Sequence, residues 1–380
     1  MMTPDPKLDH PTTIAAAEPV DVSQLTELEP FQRLASQRML PAVRLLADNN
    51  EDNGNVEAWE RWAINPRALV DVSRIDTRTT VLGREISLPV IVAPFALQGL
   101  CHPDGEVATA HGATRAGTTM ALSHATTRSP ADVGAAAPGF WLHLQFLTDR
   151  DRMADVIAEG IAAGASALCL TVDLPITPWW PSQLRRALQV VAAEGAATGR
   201  AGHFSDRFAA SRAKLQTSDL EMSWDNRPIG ASATWADLGW LREVCPVPVV
   251  LKGILTSHDA RLAVEHGVDA IVVSNHGGHS LRQARPTAEA LPEIVDAAAD
   301  GLEVLVDGGI RTGADVFRAV ALGARAVLIG RRALWGLVLG GAEGVTQVLH
   351  LLGSELEILM AQAGACTIDE IDPSRVVRRG

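Results

Sequence analysis

The stretch LEVLVDGGIRTGADVFRAVALGARAVLIGR, from Leu302 to Arg331, contains two strand-like segments separated by one helix-like segment. The strand-like segments, LEVLVDGG and AVLIGR, are mostly apolar rather than alternating between apolar and polar residues. Strands of this kind are typical of a parallel sheet that is covered on both faces. The segment between them has apolar residues at helical spacing and ends near a glycine. The stretch therefore predicts a strand–helix–strand unit of a parallel α/β fold.

The same alternation runs through most of the chain. The eight strand-like segments are LPVIVAPF, TTMALS, FWLHLQF, ASALCLTVD, VPVVLKG, AIVVSNHG, LEVLVDGG and AVLIGR. Eight such units predict a closed (β/α)8 barrel, the TIM barrel of the α/β class. A doubly wound open sheet is the alternative, but the GxGxxG fingerprint that follows its first strand is absent from this sequence.

Regions outside the barrel units divide the chain further. Residues 1–28 are rich in Pro, Asp, Thr and Ala and predict a flexible tail, residues 29–75 predict an N-terminal helical segment, and residues 76–380 predict the barrel. Roughly seventy residues separate the fourth and fifth strands. Long insertions of this kind are usually lids or disordered segments. The polar, Gly/Ala/Ser-rich part, about residues 185–232, predicts a mobile insertion.

The net charge of −12 argues against a nucleic-acid or an anionic membrane surface as a partner, because both require clustered positive charge. There is no apolar run of the length that spans a bilayer, and the N-terminus does not resemble a secretory signal. The four cysteines are far apart, which favours reduced thiols over a disulfide framework or zinc site. We therefore expect a cytoplasmic protein.

Catalytic groups of a TIM barrel lie at the carboxyl ends of its strands. Polar and titratable residues collect there in this sequence: Ser123, His143, Gln145, Thr171, Asp173, Lys252, Ser274, His276 and Asp307. A buried lysine such as Lys252 must meet an anion, because an unpaired buried charge is costly. His276 could act as a general base near neutral pH, and Asp173 could orient it.

The last two strands end in DGGIRTGAD and IGRR, which predict a phosphate site. Glycines allow backbone N–H groups to approach an anion, and the following helix N-terminus favours negative charge. Arg311 and Arg331 could add charge-assisted hydrogen bonds. Tight βα turns without a ligand are the alternative. A metal site formed by His276, His279 and His143 is a weaker alternative, because their spacing falls on a Gly-rich loop.

The segments VSNHGG, ALPEIV and DGGIRTGADVFRAVALGARAVLIGR resemble the FMN-dependent 2-hydroxy-acid oxidase and dehydrogenase family. Its members include glycolate oxidase, lactate oxidase, mandelate dehydrogenase and 4-hydroxymandelate oxidase, and the resemblance runs from about Pro66 to Glu370. It implies that His276, Asp173 and Lys252 are catalytic, with His276 taking the substrate proton while a hydride or its equivalent passes to the flavin. The implied FMN-binding residues are Ala93, Pro94, Phe95, Ala96, Ser123, His143, Thr171, Lys252, Ser274, Asp307, Gly308, Gly309, Arg311, Gly330 and Arg331. Flavin-dependent isomerases with the same phosphate site are a rival, which the SNHGG motif and the His276–Asp173 pair disfavour.

Departures from the family pattern are concentrated in the implied substrate pocket. His279 stands where the family has a carboxylate-binding arginine, and Arg282 stands where it has an aspartate. Trp179 and Trp180 replace an Arg-Arg pair, Gln145 replaces a tyrosine, and the chain contains no tyrosine at all. Histidine cannot reproduce the two-pronged contact of arginine with a carboxylate.

These departures predict oxidation of a CH–OH or CH–NH2 carbon in a larger, carboxylate-masked or carrier-bound substrate. The alternatives are a conventional 2-hydroxy-acid oxidase whose clamp is rebuilt by Arg282 or Arg185, and a catalytically silent FMN-binding barrel. The resemblance also implies a homo-oligomer, commonly a tetramer, and reoxidation by oxygen or another electron acceptor.

Overall fold

A parallel sheet of eight strands forms the centre of the protein. The computed structural model describes residues 20–48, 53–147, 149–175, 230–299 and 301–379. The strands are β1 (Val90–Val92), β2 (Ala121–Ser123), β3 (Trp141–Gln145), β4 (Ala167–Thr171), β5 (Val249–Ile254), β6 (Ala270–Val273), β7 (Glu303–Val306) and β8 (Ala326–Ile329).

Hydrogen bonds join the strands in chain order from β2 to β8, and β8 then pairs with β1. A parallel bridge between Val92 and Met120 connects β1 to the residues that lead into β2. The sheet therefore closes on itself, and the predicted TIM barrel is confirmed.

Helices follow the strands and cover the outside of the barrel. They are α1 (Gly105–Arg115), α2 (Pro130–Ala136), α3 (Arg150–Ala162), α4 (Asp237–Val244), α5 (Ser257–Glu265), α6 (Thr287–Ala298), α7 (Gly313–Ala321) and α8 (Arg331–Ala363), the last interrupted at Gly340–Gly341. Short 3-10 helices lie at Val22–Gln24, Gln98–Leu100, His276–Gly278, Ile368–Glu370 and Pro373–Arg375.

Side chains fill the barrel because alternate residues of each strand point inwards. The inner cluster consists mainly of Ile91, Ala121, Trp141, Ala167, Cys169, Val250, Ala270, Val272, Leu305, Ala326 and Leu328, all buried. An antiparallel hairpin of Thr79–Val81 and Arg84–Ile86 adds Val81 and Ile86 to this cluster. Its Leu82 backbone N–H donates to the Glu303 carboxylate at the start of β7. The amino-terminal end of the barrel is therefore closed, which leaves the carboxyl end for a ligand.

The N-terminal segment differs in part from its prediction. Three helices lie at Glu29–Ser36, Pro41–Asp48 and Asn55–Glu60, but a strand at Trp62–Ile64 then pairs with Val376–Arg378. Within the predicted flexible tail, residues 20–28 include the buried side chains of Val22 and Leu28, which pack in the main hydrophobic core. Val22 and Leu28 thus attach this part of the predicted tail to the hydrophobic core, and the flexibility of the remaining tail stays a prediction.

Some predictions fall outside the described residues. The insertion at about 185–232 does so except for its last three residues, as do Trp179, Trp180 and Arg185. Within the part of the chain that the structure describes, no helix has both the length and the apolar character needed to cross a bilayer.

A reciprocal amide pair attaches the third N-terminal helix to the barrel. Asn55 Nδ2 donates to Asn275 Oδ1 at 2.8 Å, and Asn275 Nδ2 donates to Asn55 Oδ1 at 2.9 Å. The Thr287 backbone N–H also donates to Asn55 Oδ1, at 3.1 Å. Both asparagines are 1% exposed, so water cannot replace either partner without a rearrangement.

Replacing Asn55 with alanine is expected to lower the free energy of unfolding by about 3 kcal/mol, because it leaves buried polar groups of Asn275 and Thr287 without a partner. Chemical denaturation measures the change. The control Asn65→Ala removes a single bond of an exposed side chain to the Ser374 carbonyl oxygen and should cost less than about 0.5 kcal/mol. Equal losses in the two variants would contradict this account of the pair.

Candidate active site

A cavity of about 430 Å³ opens at the carboxyl end of the barrel. Most of the predicted site residues line it: Ala93, Pro94, Phe95, Ala96, Ser123, His143, Gln145, Lys252, His276, His279, Asp307, Gly308, Gly309, Arg311, Gly330 and Arg331. Thr171, Asp173 and Ser274 instead contact these residues from behind. Arg282 is exposed and is not among the lining residues.

Lys252 is a buried cation at the end of β5. Its Nζ lies 2.8 Å from Asp307 Oδ2 and donates to Ser274 Oγ at 3.0 Å, and only 5% of its side chain is exposed. Burial disfavours the ammonium ion, but the carboxylates of Asp307 and Asp173 outweigh that effect and raise the pKa of Lys252 above its ordinary value. The lysine is therefore charged, and it joins the ends of β5, β6 and β7.

His276 and Asp173 form the predicted acid–base pair. His276 Nδ1 lies 3.1 Å from Asp173 Oδ1. Burial alone would disfavour the Asp173 carboxylate, but hydrogen bonding and charge from His276, with help from Lys252 and Ser280, lower the pKa of Asp173. An ionised Asp173 accepts a hydrogen bond from the Nδ1–H group of His276. The other ring nitrogen, Nε2, is then the basic atom.

His143, in β3, is a buried, neutral histidine that lines the cavity. Its Nε2 lies 2.8 Å from the Thr171 hydroxyl, and its ring centroid is 5.9 Å from that of His124. Burial, reinforced by His124, Lys252 and His276, holds the pKa of His143 well below the ordinary value. His143 therefore contributes hydrogen bonding rather than charge.

His279, in the position where the family resemblance implies an arginine, contacts an arginine instead. Arg331 Nη2 lies 3.2 Å from His279 Nε2 and donates to the Gly277 carbonyl oxygen at 3.3 Å, while Arg331 Nε donates to the Ala47 carbonyl oxygen at 2.8 Å. Burial and the Arg331 charge lower the pKa of His279 to about 3. His279 is therefore a neutral hydrogen-bond acceptor at this position.

The far end of the cavity has the features predicted for an anion site. Gly308 and Gly309 have φ angles of +89° and +80°, and α8 begins at Arg331. A Cβ atom on Gly309 would lie 2.7 Å from the Asn55 backbone, so the close approach of the N-terminal helix requires glycine there. Arg311 Nη1 donates to Gln32 Oε1 at 3.0 Å. The N-terminal segment thus forms part of this end of the site.

Several residues that support the site carry no motif in the sequence. Glu106 is fully buried and accepts hydrogen bonds from the backbone N–H groups of Gln98 and Thr127, which ties the loop after β1 to the loop after β2. The Trp59 indole donates to the Gly308 carbonyl oxygen at 2.8 Å. Only Asn275, adjacent to Ser274 and His276, could have been suspected from its position.

Comparison with known proteins gives one consistent family. The family model for FMN-dependent dehydrogenases matches residues 44–378. The chain belongs to the FMN-dependent dehydrogenase family. An L-lactate oxidase from Nostoc sp. is 42% identical over 328 residues, covering 84% of this chain and 88% of the relative. Glycolate oxidase 5 from Oryza sativa subsp. japonica is 36% identical over 368 residues, covering 94% and 96%.

Solved structures agree with this assignment. A crystal structure of mandelate oxidase superposes with a TM-score of 0.78 at 34% identity, covering 93% of this chain and 98% of the other. A flavocytochrome b2 variant gives 0.81 at 28% identity, covering 96% and 89%. A leucine-for-arginine variant of mandelate oxidase with 2-hydroxy-phenylacetamide gives 0.76 at 33% identity, covering 93% and 98%. The predicted family is confirmed, and the protein is an FMN-dependent oxidoreductase that oxidises a CH–OH carbon.

The cavity of this FMN-dependent dehydrogenase fits its cofactor. Among the described residues, Asp307 Oδ1 and His143 Nδ1 are buried without a hydrogen-bond partner, and both residues line the cavity. The ribityl hydroxyls and the polar ring edge of FMN are groups that can pair with such atoms. The Gly308–Gly309 turn and the α8 N-terminus suit its phosphate. The individual cofactor contacts of the predicted residues remain predictions.

The geometry does not favour the metal alternative. His276 Nδ1 contacts Asp173, and His279 Nε2 contacts Arg331. Among the residues that the structure describes, no three His, Cys, Asp or Glu side chains come together as a metal-binding group.

The neutral state of His279 makes stability depend on pH. The unfolded chain protonates this ring near its ordinary pKa of 6.5, whereas the folded protein does so only near pH 3. Because the unfolded state binds more protons between these values, the free energy of unfolding falls as the pH is lowered through the window, with at most about 1.4 kcal/mol per pH unit from this ring.

His279→Gln should therefore reduce the slope of unfolding free energy against pH between about pH 4.5 and pH 6.5. Urea denaturation of both proteins across this range measures the slopes. Above about pH 7.5 the two slopes should coincide, because neither side chain titrates there, which serves as the internal control. Identical slopes in the acid range would show that His279 is protonated in the folded protein.

Proposed function

We propose that this enzyme oxidises the CH–OH carbon of 2-hydroxy compounds whose carboxyl group is masked as an amide or ester. The observation that carries the proposal is the state of His279. It is a neutral ring held by Arg331 in the place where the family resemblance implies a carboxylate-binding arginine.

The other cations around the cavity already have partners. Lys252 pairs with Asp307, and Arg311 contacts Gln32. Arg332 donates to the Leu28 carbonyl oxygen at 2.8 Å. A substrate carboxylate would have to displace one of these contacts, at the cost of the desolvation of both charges. An amide or ester avoids that cost because it is neutral.

Neutral hydrogen-bonding groups on the cavity wall suit such a substrate. Gln145 and His143 line the cavity near His276, and an amide side chain both donates and accepts hydrogen bonds. The variant of mandelate oxidase that superposes on this chain carries leucine in place of an arginine and was solved with 2-hydroxy-phenylacetamide. That pairing of a lost arginine with an amide ligand supports the same substrate class for this chain.

Proton transfer is assigned to His276. Conversion of CH–OH to C=O removes two electrons and two protons from the substrate. When bound, FMN would supply the acceptor for the two electrons and one of the two protons, which leave together as a hydride equivalent. His276 Nε2 takes a substrate proton, and Asp173 stabilises the resulting imidazolium through Nδ1. The fixed charge of Lys252 stabilises negative charge that develops at this end of the cavity.

A conventional 2-hydroxy-acid oxidase with a rebuilt clamp is the second candidate. Arg282 lies on the same loop as His276 but is exposed and does not line the cavity. Arg185 lies outside the described residues. This candidate is favoured by the relatives of the chain, which include a lactate oxidase and a glycolate oxidase.

Matched acid and amide pairs distinguish the two candidates. Mandelate, lactate and glycolate, each beside its amide, are mixed anaerobically with the FMN-loaded enzyme, and bleaching of the flavin absorbance is followed. The amides are expected to reduce the flavin at least about tenfold more efficiently than the acids, since an unpaired carboxylate costs binding energy. Faster reduction by the acids would overturn the proposal, and Arg282→Ala and Arg185→Ala would then identify the clamp.

His279→Arg tests the position itself. Restoring a guanidinium should improve flavin reduction by the acids by about tenfold or more relative to the amides, the value of a charge-assisted hydrogen bond. The matched control is His279→Gln, which removes the ring without adding charge and should keep the preference for amides. A preference unchanged by arginine would show that position 279 does not contact the substrate.

A further inference from the structure

The Asp173 carboxylate is held from two sides by one short loop. Its Oδ1 atom lies 3.1 Å from His276 Nδ1, and its Oδ2 atom accepts a hydrogen bond from Ser280 Oγ at 3.2 Å. Only 10% of the Asp173 side chain is exposed. The carboxylate therefore joins the first and last residues of the loop 276–280.

This loop begins with a single 3-10 turn at His276–Gly278 whose backbone is left-handed. The φ angles of His276, Gly277 and Gly278 are +57°, +59° and +84°. For a histidine, the left-handed region is unfavourable and persists only when neighbouring contacts impose it. One such contact is the His276 backbone N–H, which donates to Ser274 Oγ at 3.1 Å. The direction of the His276 ring therefore depends on tertiary contacts.

The Lys252 ammonium group contacts Asp307 and Ser274, and it affects Asp173 only through its charge. The Lys252 charge acts on Asp173 and contributes to lowering its pKa, behind the effect of His276. Rotation of the carboxyl group about its Cβ–Cγ bond is soft. Gly253 leaves no room for movement on its side, because a Cβ atom there would lie 2.6 Å from Asp173 Cβ. The rotation is therefore set by the partners of the two oxygen atoms, and the partner of Oδ2 is Ser280.

We propose that Ser280 is a positioning residue for the catalytic base: its hydroxyl fixes the rotation of the Asp173 carboxylate and thereby the direction of the His276 ring. Ser280 is not among the residues that line the cavity, so it acts through Asp173 rather than on the substrate. The role holds whichever substrate class the enzyme uses, because it concerns the base alone.

Ser280→Ala separates this role from substrate binding. With the FMN-loaded enzyme and whichever 2-hydroxy acid or amide bleaches its flavin, the limiting rate of reduction should fall about tenfold, the value of a hydrogen bond to a charged group. The half-saturating concentration should stay within about twofold, because the cavity wall is unchanged. Ser280→Thr keeps the hydroxyl and should recover most of the rate.

A double-variant cycle tests whether Ser280 acts through Asp173. In the Asp173→Asn background, Ser280→Ala should change the rate by less than about twofold, since the carboxylate it orients is gone. The matched control is Ser129→Ala, which removes a serine–aspartate hydrogen bond of 2.7 Å to Asp132 at the start of α2, remote from the cavity. It should leave the rate unchanged.

Nuclear magnetic resonance of protein labelled with ¹⁵N-histidine gives a readout that needs no substrate. The Nδ1–H resonance of His276, assigned by its loss in His276→Asn, should move and broaden by solvent exchange in Ser280→Ala and return in Ser280→Thr. A folded Ser280→Ala protein with an unchanged resonance would overturn the proposal, as would a limiting rate within twofold of the parent. The resonance decides this even if no tested compound reduces the flavin, so failure of the substrate proposal remains a separate result.

Discussion

The Lys252 ammonium group is a buried cation where three strand ends of the barrel meet. It can remain charged there only because the Asp307 carboxylate lies 2.8 Å away and the Ser274 hydroxyl 3.0 Å away. The ends of β5, β6 and β7 are thereby held together. Ser274 connects Lys252 to the next loop, because its hydroxyl also accepts a hydrogen bond from the His276 backbone N–H. The buried cation thus also fixes the chain at His276, the proposed base.

The positive charge of Lys252 shifts the pKa values of several neighbouring titratable groups. Lys252 contributes to the low pKa of Asp173 and disfavours protonation of both His143 and His279. His143 and His279 are therefore neutral, although both rings line the same cavity as the charged Lys252. Neutral walls bind neutral groups at lower desolvation cost. Burial and the Arg331 charge, with a smaller effect of Lys252, keep His279 neutral, and the proposed amide or ester substrates rest on that state.

The barrel and the ring of strand-end residues could be predicted from the sequence, because apolar strands alternate with helices at regular intervals and parallel strands end on one face. Lys252, Asp173 and His276 were identified in this way. Other contacts could not be predicted, since Asn55 and Asn275 are 220 positions apart and Ser280 is 107 positions from Asp173. Uncharged polar residues in loops show no periodicity that predicts their partners. Arg282 shows the same limit, because its position near His276 in the chain does not fix the direction of its side chain.

His279 links the loop that carries His276 to the start of α8. Its contact with Arg331 lies between the base-bearing loop and the start of α8, where the phosphate site is predicted. An arginine at this position would bring a second guanidinium beside Arg331, and the repulsion would favour an anion between them. A histidine instead accepts a hydrogen bond from Arg331, so no anion is needed between the two side chains. The proposed change of substrate charge at position 279 leaves the contacts of His276 intact, because Asp173, Ser274 and Ser280 hold it without contacting the ring of His279.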